Sequence, residues 1–186
     1  MKKLILASGS PRRKELLGNM GYEFEVITSE VDETLNVEND LVEEIKKLSY
    51  RKAYAVFKDH REAVVIGSDT MVTLDGKRLG KPHDEREAFD MLKTLSDNTH
   101  EVITAVTIIS CEGHDTFANI SKVTMSKMSD EEIYQYIKTG EPMDKAGSYA
   151  IQGLGSKFIK SIEGDYYSIM GLPVCDIYHK IDKYLK

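Results

Sequence analysis

The segment 8–13, Ser-Gly-Ser-Pro-Arg-Arg, has the residue types of an anion site. The apolar run Leu4 to Ala7 before this segment predicts a short strand. Ser-Gly-Ser then predicts a tight turn, followed by a helix that Ser10 caps and Pro11 opens. Backbone N–H groups at such a junction bind anions, and the positive helix end disfavours Arg12 and Arg13. Cations at this position predict binding of a polyanion such as a nucleoside triphosphate, although arginines that simply point into water or pair with nearby acids would give the same local pattern.

Further cations and carboxylates have similar settings. Lys52 falls on the apolar stripe of a helix predicted over 39–58, so its ammonium either snorkels to solvent or meets an anion in a pocket. Asp69 follows the apolar run 63–67, a predicted buried strand, and ligands of α/β proteins bind beyond the carboxyl ends of strands. The remaining candidates are the cations Lys81 and Lys145 and the acids Asp32, Glu33 and Asp144.

Both kinds of group are needed for phosphate hydrolysis. Cations neutralise phosphate oxygens, while carboxylates hold a divalent metal or deprotonate the attacking water. Magnesium takes one or two protein carboxylates, so Asp69 with an acid of the 30–33 loop would suffice, and Mg²⁺ or Mn²⁺ is the predicted cofactor. A solvated surface charge is the commonest role of any single lysine or acid, and only the placement of these residues singles them out.

Composition excludes several other classes of protein. The chain has 186 residues and a net charge of -6, which argues against binding a nucleic-acid polymer. Two distant cysteines, Cys111 and Cys175, favour a reducing cytoplasm, and no apolar run is long enough for a membrane-spanning helix. The sequence contains neither the P-loop pattern nor a G-x-S-x-G elbow, and its histidines lack metal-ligand spacing.

The elements that position the candidates alternate between helix and strand at first and form antiparallel pairs later. Strands are predicted over 4–7, 22–28, 63–67, 71–74, 78–79, 101–110, 116–128 and 157–162, and helices over 11–20, 39–58, 83–95, 129–138 and 172–184. This order predicts an α/β protein with a mixed twisted sheet flanked by helices. We expect a single domain, 1–186, with two lobes around a central cleft.

Several of these motifs together resemble the Maf proteins. The matching blocks lie at 8–13, 67–70, 80–82, 103–106, 141–147, 151–153 and 164–173, in the order of the family and over nearly the whole chain. One mild departure is Ser68, where alanine is frequent in the family. The resemblance implies a Maf/ITPase-like fold and a cytoplasmic, metal-dependent nucleoside triphosphate pyrophosphatase. Such an enzyme cleaves between the α- and β-phosphates and removes non-canonical nucleotides in a house-cleaning role.

The resemblance also implies roles for residues. Asp69 matches the proton acceptor, and Arg12, Thr70 and Gln152 together match the branch that acts on dTTP and UTP. Ser8, Ser10, Arg12, Arg13 and Lys145 are expected to bind substrate with Thr70 and Gln152, and Lys52 and Lys81 to assist catalysis. Asp69 and one upstream acid, for which Glu33 is favoured over Glu30 and Asp32, are expected to hold the metal. Family members are commonly homodimers.

Two other functions fit parts of the sequence. The family's association with septum formation allows a nucleotide-sensing regulator of cell division with little turnover. Binding alone does not need Asp69 near the phosphates, because a carboxylate repels them unless a metal intervenes. A sequence-independent RNA-binding protein is a weaker alternative, given the negative net charge.

Overall fold

The computed structural model describes residues 2–28 and 30–186. Its strands are β1 (Leu4–Leu6), β2 (Glu25–Val26), β3 (Val64–Leu74), β4 (Lys77–Leu79), β5 (Thr99–Ser110), β6 (Gly113–Met125) and β7 (Ile159–Glu163). Its helices are α1 (Pro11–Asn19), α2 (Leu41–Phe57), α3 (Glu85–Leu95), α4 (Asp130–Ile137), α5 (Tyr166–Met170) and α6 (Val174–Leu185). Short 3₁₀ helices cover Glu141–Asp144, Ala146–Ser148 and Leu154–Phe158.

The strands form one seven-stranded sheet of order β2-β1-β3-β5-β6-β7, with β4 paired to β3. Because β1 pairs in parallel with β2 and β3, whereas the β3–β4 and β6–β7 pairs are antiparallel, the predicted mixed α/β class is confirmed. Within the described ranges, no helix combines the length and apolar character required to cross a membrane.

The chain forms two compact units. Unit 1 contains Met1–Asp69, Thr104–Asn119 and Gly171–Lys186, and unit 2 contains Thr70–Ile103 and Ile120–Met170. The strands β3, β5 and β6 contribute residues to both units.

In unit 1 the predicted start of the chain is largely confirmed. The buried strand β1 leads to α1, in which Leu16 and Leu17 are buried and Pro11 occupies the first turn. Ser10 stands at the N-cap position with extended backbone, but its side chain makes no capping hydrogen bond. Gly21 follows the helix with φ +82°, a conformation that suits glycine at a helix end. The strand predicted over 22–28 shrinks to two exposed residues of β2.

The strand that carries Asp69 is longer than predicted. Two strands were expected, at 63–67 and 71–74, but β3 runs without interruption because its second half pairs with β4, Val72 opposite Leu79. Asp69 therefore lies inside a strand, and its placement at the end of one was wrong. The parallel pairing of β1 with β3 ends at Leu6 and Ile66, so Asp69 still lies beyond the parallel part of the sheet.

Local signals in unit 2 predict its turns and caps well. The β3–β4 hairpin turns at Asp75 and Gly76, which have φ +50° and +78° as a type I′ turn requires. Ser129 and Glu132 form the predicted capping box of α4. The helix α5 was not predicted. Its first turn is stabilised by Asp165, whose Oδ1 accepts a hydrogen bond from the Tyr167 N–H at 2.9 Å.

The backbone of strand β3 lies directly against the backbone of helix α2 at Gly67. A Cβ atom added to Gly67 would lie 2.5 Å from the Ser49 carbonyl oxygen and 2.6 Å from the Ala53 nitrogen. Only glycine allows this approach, since any side chain would meet helix backbone rather than a movable group. The contact places Lys52, which lies between Ser49 and Ala53 along α2, near the strand residue two positions after Gly67.

We expect Gly67→Ala to lower the free energy of unfolding by about 1–3 kcal/mol, because the new methyl group overpacks the contact between α2 and β3. Urea unfolding of the wild type and the variant measures this difference. Gly18→Ala is the matched control, since Gly18 lies in α1 and a Cβ atom added there would lie 4.0 Å from Phe24 Cε1. Alanine there should stabilise by up to about 1 kcal/mol through helix propensity. Equal stability of Gly67→Ala and wild type would contradict the account.

Candidate functional site

Lys52 lies between two carboxylates in unit 1. Its Nζ is 2.6 Å from Asp69 Oδ1 and 2.8 Å from Glu33 Oε1. The side chains of Lys52 and Asp69 are only 15% and 14% exposed, whereas that of Glu33 is 66% exposed. Of the two alternatives for Lys52 on the apolar stripe, the structure shows a partly buried ammonium in contact with anions. These anions are the protein's own carboxylates.

Arg13 is anchored from the far end of the chain. Its Nε donates to the Gly171 carbonyl at 2.9 Å, and its Nη1 donates to Ser8 Oγ at 3.2 Å. The Gly171 carbonyl also accepts a hydrogen bond from the buried Ser68 hydroxyl at 3.0 Å. Ser8 Oγ further accepts from the Ser10 N–H at 3.3 Å, so Ser8 fixes the turn before α1 as well as the arginine.

The electrostatic surroundings of Arg13 connect it with the Lys52 cluster. Loss of hydration on burial lowers the pKa of Arg13, and Arg12 lowers it further, while the negative charges of Asp69 and Glu33 raise it. The cations Arg13 and Lys52 thus share the field of the same two carboxylates. We call Ser8, Arg13, Glu33, Lys52 and Asp69 the unit 1 cluster.

The loop that carries Glu33 is tied to α2 by Glu44, which the sequence did not single out. The Glu44 carboxylate is 8% exposed and accepts hydrogen bonds from the Asn36 N–H, Asn39 Nδ2 and Lys47 Nζ at 3.0, 2.8 and 2.8 Å. These hydrogen bonds lower the pKa of Glu44 to about 2, and the bond from Lys47 has the largest effect on it.

The neighbouring acid Asp32 takes another direction from Glu33. Its Oδ1 accepts a hydrogen bond from the Thr34 N–H at 2.9 Å, and hydrogen bonds from the side chain and the N–H of Thr34 lower the pKa of Asp32. Glu33 instead contacts Lys52. Of these two adjacent acids, Glu33 is the one that belongs to the unit 1 cluster.

The other predicted site residues lie outside the unit 1 cluster. Four belong to unit 2, namely Thr70, Lys81, Lys145 and Gln152, and two belong to unit 1, namely Ser10 and Arg12. Lys81 and Gln152 are exposed, and Thr70 is half-buried in β3 directly after Asp69. The Lys145 ammonium donates to the Glu141 carbonyl at 3.0 Å and contacts Asp144, and both of these contacts lie within its own loop. Arg12 is half-buried in the first turn of α1, beside Ser10 at the cap.

The unit 1 cluster has the donor chemistry of a divalent-cation site. Oxygens of Glu33 and Asp69 converge on one point, occupied by the Lys52 ammonium, and hard divalent cations prefer such carboxylate oxygens. Among residues 2–28 and 30–186, no three or more His, Cys, Asp or Glu side chains group as a complete metal cage. The residues fit a cation that completes its coordination with phosphate oxygens and water.

Sequence similarity to known proteins identifies the family of this chain. A family model described as Maf-like protein matches residues 3–184. The chain belongs to the Maf-like family. Proteins of Bacillus cytotoxicus and Bacillus mycoides named dTTP/UTP pyrophosphatase are each 48% identical to it over 184 residues, which cover 99% of this chain and 96% of theirs.

A solved structure extends the likeness to the fold. The Staphylococcus aureus Ham1 protein matches this Maf-like chain with a TM-score of 0.53 at 12% sequence identity, and the match covers 100% of both chains. At this identity the likeness shows the fold alone, which agrees with the expected Maf/ITPase-like class.

We expect Glu44→Gln to destabilise the protein at neutral pH, because an uncharged amide cannot accept from Lys47 and Asn39 as the carboxylate does. The folded-state pKa of Glu44 lies below its ordinary value of 4.5. Its contribution is therefore complete above pH 4.5 and is lost as the pH falls toward 2.

Urea unfolding at a series of pH values measures this effect. The stability difference between wild type and Glu44→Gln should shrink as the solution is acidified. Glu43→Gln is the matched control, since Glu43 is 57% exposed and pairs only with Lys46 among the ion pairs that the structure describes. A Glu44→Gln difference that stays constant from neutral to acid pH would refute the role of this carboxylate.

Proposed function

We propose that this protein is a nucleoside triphosphate pyrophosphatase that hydrolyses dTTP and UTP to the monophosphate and pyrophosphate. The observation that carries the proposal is the partly buried Lys52 ammonium bound by Asp69 and Glu33. Cations and carboxylates side by side are what hydrolysis of a phosphoanhydride needs. The relatives named dTTP/UTP pyrophosphatase, 48% identical over 184 residues, support the choice of substrate.

Each residue of the unit 1 cluster has a role in this proposal. Arg13, held by Gly171 and Ser8, and Lys52 neutralise phosphate oxygens through charge-assisted hydrogen bonds. The N-terminus of α1, with Ser10 and Arg12, adds positive potential for the triphosphate. Asp69 accepts the proton of the water that attacks the α-phosphorus, and Lys52 orients Asp69 at 2.6 Å.

Glu33 and Asp69 would hold a divalent cation, Mg²⁺ or Mn²⁺. When bound, the cation neutralises the phosphate oxygens that the two carboxylates would otherwise repel. The exposure of Glu33, 66%, leaves its carboxylate accessible to an incoming cation. Release of Lys52 from Glu33 would then free one N–H donor of its ammonium for the phosphates.

The unit 2 residues complete the proposed enzyme. Lys81 and Lys145 add positive charge for the phosphates, and Thr70 and Gln152 select the pyrimidine, since a glutamine amide donates and accepts at once. We further propose that residues 1–186 act as one functional domain, in the cytoplasm and as a homodimer. The cytoplasmic location and the homodimer rest on the resemblance to the family, and the exposed free cysteines Cys111 and Cys175 are compatible with a reducing compartment.

Product analysis in ¹⁸O-labelled water tests the reaction. Purified protein with Mg²⁺ or Mn²⁺ should convert dTTP and UTP, in preference to GTP and ITP, to monophosphate and pyrophosphate. The label should enter the monophosphate, because water attacks the α-phosphorus. Orthophosphate as the product, or label in the pyrophosphate, would refute the proposed cleavage. Absence of turnover in the presence of Mg²⁺ or Mn²⁺, together with nucleotide binding that persists in EDTA, would instead indicate the nucleotide-sensing regulator.

We expect Asp69→Asn to lower kcat at least about 100-fold, because a positioned general base contributes roughly 10²–10⁴-fold. Steady-state kinetics with UTP measure the change. Asp75→Asn is a matched control at the β3–β4 turn, where asparagine tolerates the observed φ of +50°. If Asp69→Asn keeps most of the wild-type rate, Asp69 is not the base.

A further inference from the structure

Tyr136 and Glu141 hold both ends of a short segment of unit 2. The Tyr136 hydroxyl donates to Glu141 Oε2 at 2.6 Å and accepts from the Ala150 N–H at 3.1 Å. The Glu141 carboxylate accepts from the N–H groups of Leu154 and Gly155, each at 2.9 Å. We call this pair the Tyr136–Glu141 clamp.

The clamped segment wraps closely around the carboxylate and the hydroxyl. A Cβ atom on Gly153 would lie 2.0 Å from Glu141 Oε1, and one on Gly155 would lie 2.6 Å from the Tyr136 hydroxyl. Tyr136 is 1% exposed and packs edge-on against Phe158, with ring centroids 5.6 Å apart. The clamp is therefore a rigid support with glycines where the chain must approach it.

The clamp holds the half-buried charge of Glu141 in a set of directed hydrogen bonds. Burial raises the pKa of Glu141, but the hydrogen bonds from Tyr136, Leu154 and Gly155 outweigh it and lower the pKa overall. Glu141 thus stays ionised at neutral pH, when its bonds to backbone N–H groups are strongest.

Gln152 lies between the two clamped ends. Its side chain is exposed, and Leu154 after it is 58% exposed, so neither residue anchors this part of the segment in the core. The backbone on either side of Gln152 is held by the buried side chain of Ile151, 6% exposed, and by the bonds to the N–H groups of Ala150, Leu154 and Gly155. We propose that the Tyr136–Glu141 clamp positions Gln152 and so determines the preference for uracil and thymine over cytosine.

The chemistry of the bases explains why position matters. Uracil and thymine present a carbonyl and an N–H where cytosine presents an amino group and a bare ring nitrogen. One fixed amide of Gln152 can match only one of these patterns, whereas a mobile amide can turn to match either. This inference rests on the proposed function, in which Gln152 contacts the base. The clamp residues are positioning residues and touch no substrate.

Tyr136→Phe and Glu141→Gln test the clamp separately. Tyr136→Phe removes the bonds to Glu141 and Ala150 while the ring stays packed, and Glu141→Gln removes the charge at nearly constant volume. Tyr134→Phe is the matched control, since Tyr134 lies on the same helix, α4, and is 52% exposed. Thermal unfolding checks that each variant is folded, and the second variant decides the question if the first does not fold.

Two measurements distinguish positioning from stability alone. Hydrogen exchange of the amides in 150–155 should accelerate about tenfold in both variants, the factor for a lost bond of roughly 1.4 kcal/mol. The ratio of kcat/KM for UTP to that for CTP should fall about tenfold, mainly through KM for UTP, because a misplaced Gln152 amide loses one hydrogen bond to uracil of similar free energy. Tyr134→Phe should match wild type in both.

Two results would overturn the proposal. One is wild-type exchange over 150–155 in both variants, and the other is faster exchange with an unchanged UTP-to-CTP ratio. If the wild type hydrolyses no triphosphate, the proposed function fails by itself. Binding of non-hydrolysable UTP and CTP analogues then replaces the kinetic ratio, and a preference for UTP that is lost in both variants would still support the clamp.

Discussion

The backbone contact between α2 and β3 at Gly67 is the constraint on which the unit 1 cluster depends. Because no side chain separates the strand from the helix, Lys52 reaches Asp69 at 2.6 Å while both are largely buried. A larger residue at 67 would move the helix outward and lengthen that contact. The composition of the cluster follows, since a buried ammonium must be paired and the nearest anions are the carboxylates of Asp69 and Glu33.

The charged side chains of the unit 1 cluster are held in place by residues that are far apart in the chain. Arg13 is held by the carbonyl of Gly171, and Glu33 stands on a loop that Glu44 ties to α2. Gly171 and Glu44 are not among the predicted site residues. They fix Arg13 and the loop of Glu33, and fixed charges cost no reorganisation when a charged substrate binds.

The two units hold their carboxylates in different ways. In unit 1 the carboxylates of Asp69 and Glu33 pair with a cation, and in unit 2 the Glu141 carboxylate pairs with a hydroxyl and two backbone N–H groups. An ion pair can be exchanged for another cation or anion, whereas backbone hydrogen bonds cannot move without the chain. This difference suits the first arrangement to charged ligands and the second to holding a loop.

The sequence by itself determined the elements whose causes are local. These include the opening of α1 at Pro11, the turn at Asp75 and Gly76, and the capping box at Ser129, because each depends on a few neighbouring residues. It also identified Asp69, Lys52 and Arg13 as candidates, because they follow an apolar strand, lie on an apolar helix stripe and lie at a helix start, respectively. Only the tertiary structure decided that Lys52 meets carboxylates, that β3 continues through Asp69, and that Glu44 and Glu141 support loops. These outcomes depend on packing between residues distant in sequence, which no local pattern encodes.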